Sequence, residues 1–343
     1  MKVLIIGPSW IGDMVMAQSL FRSLRSLNPE VIIDVLAPDW TRALLDRMPE
    51  INRAISMPID HGELALGKRH RLGKALQSEG YQQAIVLPNS FKSALIPLFA
   101  KIPIRTGWRG EARSWLLNDC RLLDKQQYPL MVERFVALAF PAGAALTKPL
   151  LQPALMASAE ADKLVAKFEL SLERPVTVFC PGAEFGASKK WPESHFATLA
   201  ETLIDEGKQV WLMGSKNDGP TANNIIDIML PAHKNHIVNL AGLTDIGEAI
   251  DLMSLAQSVV SNDSGLMHIA AALNKKLVAI YGSTSPDFTP PLAEQVEILN
   301  LSLPCSPCFK RECPLGHLDC LNKLAPDLVL NAIRKINAEN AEA

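Results

Sequence analysis

The feature that most constrains the fold is an alternation of short aliphatic runs with segments of helical apolar spacing, repeated along most of the 343 residues. Seven runs rich in Val, Ile and Leu have the length of buried strands: 3–6, 31–36, 84–87, 176–179, 210–213, 259–261 and 277–281. Between most of them lie segments such as Ala17–Leu27, His195–Ile204 and Ile246–Leu255, whose apolar residues recur at helical spacing. This α/β alternation predicts βα units built around parallel sheets.

The alternation is interrupted at about Phe140–Leu172, where three prolines occur, and both sides of the interruption begin alike. Each side starts with a strand, a Gly/Pro turn and a helix, and a chain of this length holds about two domains. We therefore predict domains at 1–165 and 166–325. A C-terminal helix within 326–343 follows them and could pack on the first domain.

Composition excludes several classes of protein. Hydrophobic residues make up 48% of the chain, which excludes wholesale disorder, and a net charge of -2 does not suggest a dedicated nucleic-acid-binding protein. Gly7, Pro8 and Gly12 interrupt the apolar N-terminus before a signal-peptide core is complete, and no run reaches the roughly 18 apolar residues of a spanning helix. We expect a soluble cytoplasmic protein.

The first strand is followed by Gly7-Pro8-Ser9-Trp10-Ile11-Gly12-Asp13-Met14. This turn lacks the third glycine of a dinucleotide fingerprint and the Lys-Ser/Thr of a P-loop. It does offer a carboxylate: Asp13 lies where strand gives way to helix, so it can act as a general base or simply stabilise the start of the helix. The residues alone leave both interpretations open.

Two segments of the second half favour an anionic ligand. Residues 181–192 combine small residues with Lys189 and Lys190, which suits phosphate oxygens but also suits a solvated loop. Residues 261–268 follow a buried strand and open a helix, whose first amides can receive an anion. Ser264 and His268 share a face of that helix, whereas Asp263 also suits a plain helix cap and His268 a structural role.

Further cations concentrate in the first half. Residues 88–93 and 106–113 each follow an apolar run, and the basic stretch 68–71 with Lys74 could face an anionic acceptor or lipid headgroups, although such a stretch is often only a solvated face.

Four of the six cysteines cluster near the C-terminus at spacings of two, four and six residues: Cys305, Cys308, Cys313 and Cys320, with His317 among them. Cysteines separated by two intervening residues can chelate zinc or iron, but the gaps of four and six residues that follow match no standard metal-binding pattern. Metal binding and inert thiols both remain open, and the position after the last core strand favours a structural role.

Taken together, five segments resemble the ADP-heptose:lipopolysaccharide heptosyltransferases, glycosyltransferase family 9: residues 7–13, 87–94, 106–110, 180–186 and 262–268. The resemblance implies a GT-B architecture, in which two Rossmann-like domains with parallel sheets face a central cleft. It also implies an inverting transfer of L-glycero-D-manno-heptose from ADP-heptose, bound mainly by the second domain, to the first heptose of the lipopolysaccharide inner core, bound mainly by the first.

Residue roles follow from the same resemblance. Asp13 matches the proposed catalytic base and Lys189 the lysine that contacts the donor phosphates. Asp218 falls where relatives carry a glutamate that binds the ribose, and Leu243 at an adenine-packing position. The implied donor-binding residues are Ser188, Asp218, Leu243, Asp263, Ser264, Gly265 and His268. The implied acceptor-binding residues are Ser9, Trp10, Gly12, Asn89, Lys92, Trp108 and Arg109.

No Asp-x-Asp pair ends a strand, so we expect no metal or other cofactor in the reaction. The expected partners are ADP-heptose, the heptosyl-Kdo-lipid A acceptor and the inner face of the inner membrane, with no nucleic acid. The alternatives are heptosyltransferase I, another nucleotide-sugar transferase with a different acceptor, and a non-catalytic nucleotide-binding protein.

Overall fold

A computed structural model describes residues 1–59 and 62–338 of the chain. The chain divides into two compact units, Met1–Pro153 and the part from Ala154 onward.

The first unit contains one helix or turn between most consecutive strands. Its strands are β1 (Lys2–Ile6), β2 (Ile32–Ala37), β3 (Arg53–Ser56), β4 (Gln83–Val86), β5 (Ile104–Trp108) and β6 (Asp119–Arg121). Its helices are α1 (Ile11–Leu27), α2 (Arg42–Leu45), α3 (Leu66–Ala75), α4 (Leu95–Phe99) and α5 (Met131–Val136).

The second unit repeats this arrangement. Its strands are β7 (Val176–Cys180), β8 (Gln209–Leu212), β9 (Ile237–Asn239), β10 (Ser258–Asn262), β11 (Lys276–Ile280) and β12 (Val296–Leu299). Its helices are α6 (Ala161–Lys167), α7 (Glu193–Asp205), α8 (Gly219–Ile228), α9 (Ile246–Ser254), α10 (Gly265–Ala272), α11 (Asp319–Asn322) and α12 (Pro326–Ala338).

Both units have a six-stranded parallel sheet with the same topology. The order is β3-β2-β1-β4-β5-β6 in the first and, read from the same side, β9-β8-β7-β10-β11-β12 in the second. In the first sheet Ile5 pairs with Val35 on one side and Ile85 on the other. This is the Rossmann strand order, in which ligands bind where the winding reverses, between β1 and β4 or between β7 and β10. The predicted pair of Rossmann-like domains is confirmed.

All seven predicted strands are present. The strands without a predicted counterpart include the edge strands β3, β6 and β12, whose residues are mostly half-buried. An edge strand has a neighbour on one side only, so its sequence carries fewer aliphatic residues than a central strand.

The division between the units lies earlier than the predicted boundary between residues 165 and 166. The Leu155 amide donates to the Ala272 carbonyl at 3.0 Å, and the Ser158 amide donates to the Asp251 carboxylate at 2.7 Å. These bonds join the segment after Pro153 to helices of the second unit, so residues 154–165 belong there.

The C-terminal helix also belongs to the second unit. α12 packs on β11, β12 and α7. Its apolar face, which includes Val329, Ile333 and Ile336, is buried in that unit's core. Residues 339–343 of the predicted C-terminal segment lie outside the described residues. Among the helices that the structure describes, none has the length and apolar character needed to cross a bilayer.

Candidate active site

The predicted site residues lie at the carboxyl ends of the strands in both units, either in the turns there or at the starts of the helices that follow. In the first unit they follow β1, β4 and β5, and in the second they follow β7, β8, β9 and β10. These turns include both places where the strand order reverses, which are the ligand-binding edges of such sheets.

Asp13 lies in the first turn of α1, two residues after the helix begins, and its side chain is half-buried. The N-cap residue is Trp10, which makes no side-chain capping bond, and its carbonyl accepts from the Met14 amide at 2.9 Å. Asp13 is therefore not the N-cap itself, and the positive end of the helix dipole favours its ionised form. Ser9 and Gly12 are half-buried in the same turn, while the Trp10 ring is half exposed.

A buried arginine, which the sequence did not reveal as important, joins the two other turns of this unit. The Arg113 guanidinium is fully buried and donates to the Trp108 carbonyl at 2.7 Å, the Asn89 side-chain oxygen at 2.8 Å and the Ser93 hydroxyl at 3.0 Å. It also donates to the Pro88 carbonyl. Burial lowers the pKa of Arg113 to about 10. Asn89 is thus held by Arg113, and its oxygen orients the turn after β4.

The predicted acceptor residues after β4 and β5 differ in exposure. Trp108 is buried, its indole N–H donates to the Arg134 carbonyl at 2.9 Å, and its ring lies 5.8 Å from that of Tyr128. This places its side chain in the core of the first unit. Arg109 is exposed and Lys92 is half-exposed, so their charges can reach a ligand.

The basic stretch 68–71 is also divided. Arg69 is buried, and it donates to the backbone carbonyls of Leu64 at 2.7 Å and Lys92 at 3.2 Å. Its role is therefore to hold the start of α3. Lys68 and Arg71 are exposed on the same helix.

In the second unit, Lys189 and Asp263 form the most buried ion pair of the site. The Lys189 ammonium lies 2.5 Å from an Asp263 carboxylate oxygen, and the Thr284 hydroxyl donates to the same oxygen at 2.5 Å. The three residues come from the turns after β7, β10 and β11. The pair sits next to the start of α10, so a phosphate placed there would meet both the lysine and the helix amides.

Ser188 acts as an internal bridge. It is buried, its hydroxyl is hydrogen-bonded to that of Ser283 at 2.9 Å and donates to the Lys310 carbonyl, and its amide donates to the Arg311 carbonyl at 3.1 Å. Gly186 has φ +152°, and a Cβ there would lie 2.4 Å from the Arg311 carbonyl oxygen. Residues 310 and 311 therefore form one wall of the lysine turn, which the sequence did not predict.

Two cations share the ring of Phe185. The Lys189 ammonium lies 5.0 Å from the ring centre and the Arg311 guanidinium 5.8 Å. Cation–π attraction at these distances helps to hold both positive charges beside the Phe185 ring.

Asn262 is the residue that fixes the turn after β7 to the turn after β10. It is fully buried, its amide group donates to the Pro181 carbonyl at 2.7 Å, and its oxygen accepts from the Trp191 amide at 3.2 Å. The sequence placed Asn262 in a motif but assigned it no role. Its position at the end of a buried strand was the available signal.

Asp218 is buried and already engaged. Its carboxylate accepts from the Ser215 amide at 2.9 Å and from the Ser215 hydroxyl at 2.8 Å, and Lys190 lies 3.7 Å away. A Cβ on Gly182 would lie 2.3 Å from the Asp218 carboxyl carbon, so the glycine makes room for this carboxylate. Asp218 thus organises the turn after β8, next to the turn after β7.

Leu243 is an exposed apolar residue in the turn after β9, where it is accessible to a ligand. Its side chain is 61% exposed, in a turn where the Gly242 amide donates to the Gly214 carbonyl at 3.0 Å. The turns after β8 and β9 are therefore adjacent, with an apolar side chain exposed to solvent beside them.

The remaining predicted donor-binding residues lie at the start of α10. Ser264 is the N-cap residue, its hydroxyl lies 3.3 Å from that of Ser261, and Gly265 begins the helix. His268 is buried one turn later. Burial lowers its pKa to about 4, against the opposing effect of the Asp263 charge and with a further lowering by Lys189. His268 is consequently a neutral imidazole near pH 7.

Comparison with known proteins identifies the family of the chain. The sequence profile described as glycosyltransferase family 9 (heptosyltransferase) matches residues 69–319. The chain belongs to glycosyltransferase family 9. It is therefore a glycosyltransferase, and the predicted family is confirmed.

Individual relatives cover the whole chain. It is 50% identical to lipopolysaccharide heptosyltransferase 2 of Salmonella typhimurium, over 99% of both chains, and 50% identical to that of Escherichia coli, over 98% of both. A solved structure of E. coli ADP-heptose LPS heptosyltransferase II matches with a TM-score of 0.91 and 48% identity over 100% of both chains. Lipopolysaccharide heptosyltransferase 1 of Pseudomonas aeruginosa is only 25% identical, over 91% of this chain and 87% of its own.

Proposed function

We propose that the protein transfers L-glycero-D-manno-heptose from ADP-heptose to the first heptose of the lipopolysaccharide inner core. The observation that carries this proposal is the end-to-end identity of 50% to heptosyltransferases 2, against 25% to a heptosyltransferase 1. The donor and the acceptor class come from these relatives, and the residues of both units suit them.

In the second unit the chemistry required is stabilisation of the leaving ADP. The diphosphate develops negative charge as the bond to the sugar breaks, and a lysine together with helix-start amides can stabilise it. Lys189 and the first amides of α10 supply these groups. The Lys189 ammonium is held against Asp263 at 2.5 Å, so its position is fixed before the donor phosphates bind.

In the first unit the chemistry required is removal of the proton from the acceptor hydroxyl. Asp13 is the proposed base: its ionised form is favoured by the start of α1, and its half-buried side chain can still reach a ligand. The oxygen that it activates attacks the anomeric carbon on the face opposite ADP, so the anomeric centre is inverted. We propose that this step needs no metal ion, and turnover should be the same with and without added Mg²⁺.

The deciding experiment measures ADP release from ADP-heptose with purified protein and two acceptors, one bearing a single inner-core heptose and one bearing none. Turnover only with the monoheptosylated acceptor is expected. Preference for the heptose-free acceptor would reassign the enzyme to the first heptose addition, and no release with either acceptor would leave the non-catalytic interpretation.

Replacing the base tests its role directly. Asp13→Asn should lower kcat by roughly 10²-fold or more, the usual effect of losing a general base. The matched control is Asp46→Asn, which changes an exposed carboxylate of the same unit and should keep the wild-type rate. A folded Asp13→Asn enzyme with wild-type turnover would exclude Asp13 as the base.

We also propose that the first unit contacts the inner face of the inner membrane, where its lipid-linked acceptor lies. Exposed Leu66, Lys68 and Arg71 occupy one helix, α3, and basic and apolar side chains together suit an anionic lipid surface.

This contact can be measured by sedimentation with phosphatidylglycerol-containing vesicles. Each basic residue near such a surface contributes about 1 kcal/mol, so the double change Lys68→Glu and Arg71→Glu should weaken binding by at least about tenfold. The control double change is Lys125→Glu and Lys163→Glu, two exposed lysines outside α3. Equal loss in both variants would refute a role for α3.

A further inference from the structure

The four clustered cysteines surround one small cavity. All four are free thiols. They line a cavity of about 20 Å³, whose wall also includes two residues of the donor turns: Cys305, Cys308, Cys313 and Cys320, with Ser188 and Ser283. A cavity of this size accommodates a single water molecule or ion.

The chain makes a tight turn directly after Cys313. The Gly316 amide donates to the Cys313 carbonyl at 3.1 Å, and Gly316 and Leu318 both have left-handed backbone conformations. Cys313, Leu315, His317 and Leu318 of this tight turn all line the cavity.

The segment that holds the cysteines is long and irregular. Residues 300–318, between β12 and α11, form neither helix nor strand. A loop of this length without regular structure is uncommon in a compact domain unless something else fixes it. Its described attachments to the rest of the unit include the bond from the Phe309 amide to the Ser283 carbonyl at 2.8 Å and the bond from the Ser188 amide to the Arg311 carbonyl. An ion bound by the four cysteines would link distant parts of this segment to one another.

We propose that Cys305, Cys308, Cys313 and Cys320 bind one thiophilic divalent ion, Zn²⁺ or Fe²⁺, as four thiolates. Four cysteine sulfurs select zinc or iron over magnesium or calcium, and a site with four protein ligands is closed to substrate. The role of the ion is therefore structural. In residues 1–59 and 62–338 no three His, Cys, Asp or Glu side chains are arranged to hold a metal as they stand. Binding thus requires the thiol side chains to turn towards the cavity as they lose their protons.

The ion would act on the donor site through the backbone. Ser188 and Ser283 line the same cavity, and Lys189 is the next residue along the chain. Fixing residues 305–320 fixes the carbonyls of Lys310 and Arg311 that hold Ser188. Loss of the ion should therefore raise the KM for the donor more than it lowers kcat.

The test is the metal content of the full-length untagged chain, purified under reducing conditions and measured by inductively coupled plasma mass spectrometry. About one zinc or iron per chain is expected, and the element found decides between the two ions. The double variant Cys308→Ser and Cys313→Ser should contain neither, whereas Cys120→Ser, which removes a cysteine outside the cluster, should keep the ion.

A second measurement remains decisive if the cysteine variants fail to fold. Wild-type protein stripped of metal and titrated with Co²⁺ should reach its endpoint at one ion per chain, with the absorption of tetrahedral cobalt thiolate. Metal-free protein that binds neither Zn²⁺ nor Co²⁺, or disulfides between these cysteines in the freshly isolated chain, would overturn the proposal. Neither readout depends on turnover, so the outcome is independent of the proposed function.

Discussion

The buried His268 makes stability depend on pH in a way that can be calculated. Burial lowers its pKa to about 4 in the folded protein, whereas an unfolded histidine has a pKa of about 6.5. The folded state therefore binds fewer protons than the unfolded state. The contribution of His268 to stability is complete above about pH 6.5 and is lost as the pH falls towards 4.

The expected loss between pH 7 and pH 5 follows from the unfolded chain alone, because the folded imidazole stays neutral over this range. At pH 5 the unfolded histidine lies about 1.5 pH units below its pKa, and each unit corresponds to about 1.36 kcal/mol. Wild-type protein should thus lose about 2 kcal/mol of unfolding free energy through this one group. His268→Gln, which places a neutral side chain at the same site, should not suffer this loss.

The assay is urea unfolding, followed by circular dichroism, of both proteins at pH 7 and pH 5. Other titrating groups contribute equally to both proteins, so the difference between the two pH-dependent losses isolates His268. His70→Gln, which removes an exposed histidine, serves as the control and should behave as wild type. If His268→Gln loses as much stability as wild type between the two pH values, His268 is not a buried neutral imidazole.

Three further predictions concern groups that the structure holds in place. Arg113→Ala removes the guanidinium that joins two turns of the first unit and should cost about 3 kcal/mol or more of unfolding free energy in urea. Gly182→Ala puts a Cβ 2.3 Å from the Asp218 carboxyl carbon, so it should lower Tm by several degrees and weaken ADP binding in calorimetry; unchanged values would show that this turn adjusts freely. Lys189→Met removes the charge closest to Asp263 and should lower kcat/KM by roughly 10² to 10³. A loss confined to Tm would make the lysine structural.

The sequence predicted those parts of the fold that depend on local pattern. Runs such as Val3–Ile6 and Val176–Phe179 are rich in apolar residues because central parallel strands are buried on both faces. The turns after them carry the small and polar residues of a ligand edge. The domain boundary was less accurate because it depends on bonds between residues far apart in the chain. The amide of Ser158 and the carboxylate of Asp251 are one such pair, which composition around a proline-rich segment does not reveal.

Within the candidate site, the sequence indicated which turns matter but not what each side chain contacts. Asn89 and Trp108 both lie in predicted segments, yet Asn89 is held by Arg113 and the Trp108 ring is buried against Tyr128. Partners of this kind, often backbone carbonyls, leave no trace in residue type or spacing. The same reason explains why the sequence does not indicate that Arg113 joins the two turns.

The cysteine-rich segment contacts the turn that holds Lys189, so a structural role for the segment also affects the candidate site. The position of this segment after the last core strand favours a structural role. Yet Arg311 brings a second positive charge to the Phe185 ring that Lys189 also contacts, and its carbonyl would collide with any side chain at position 186. Lys189, the lysine proposed to contact the donor phosphates, therefore depends on residues more than a hundred positions away. A change that loosens the cysteine segment should weaken donor binding without touching any donor-binding residue.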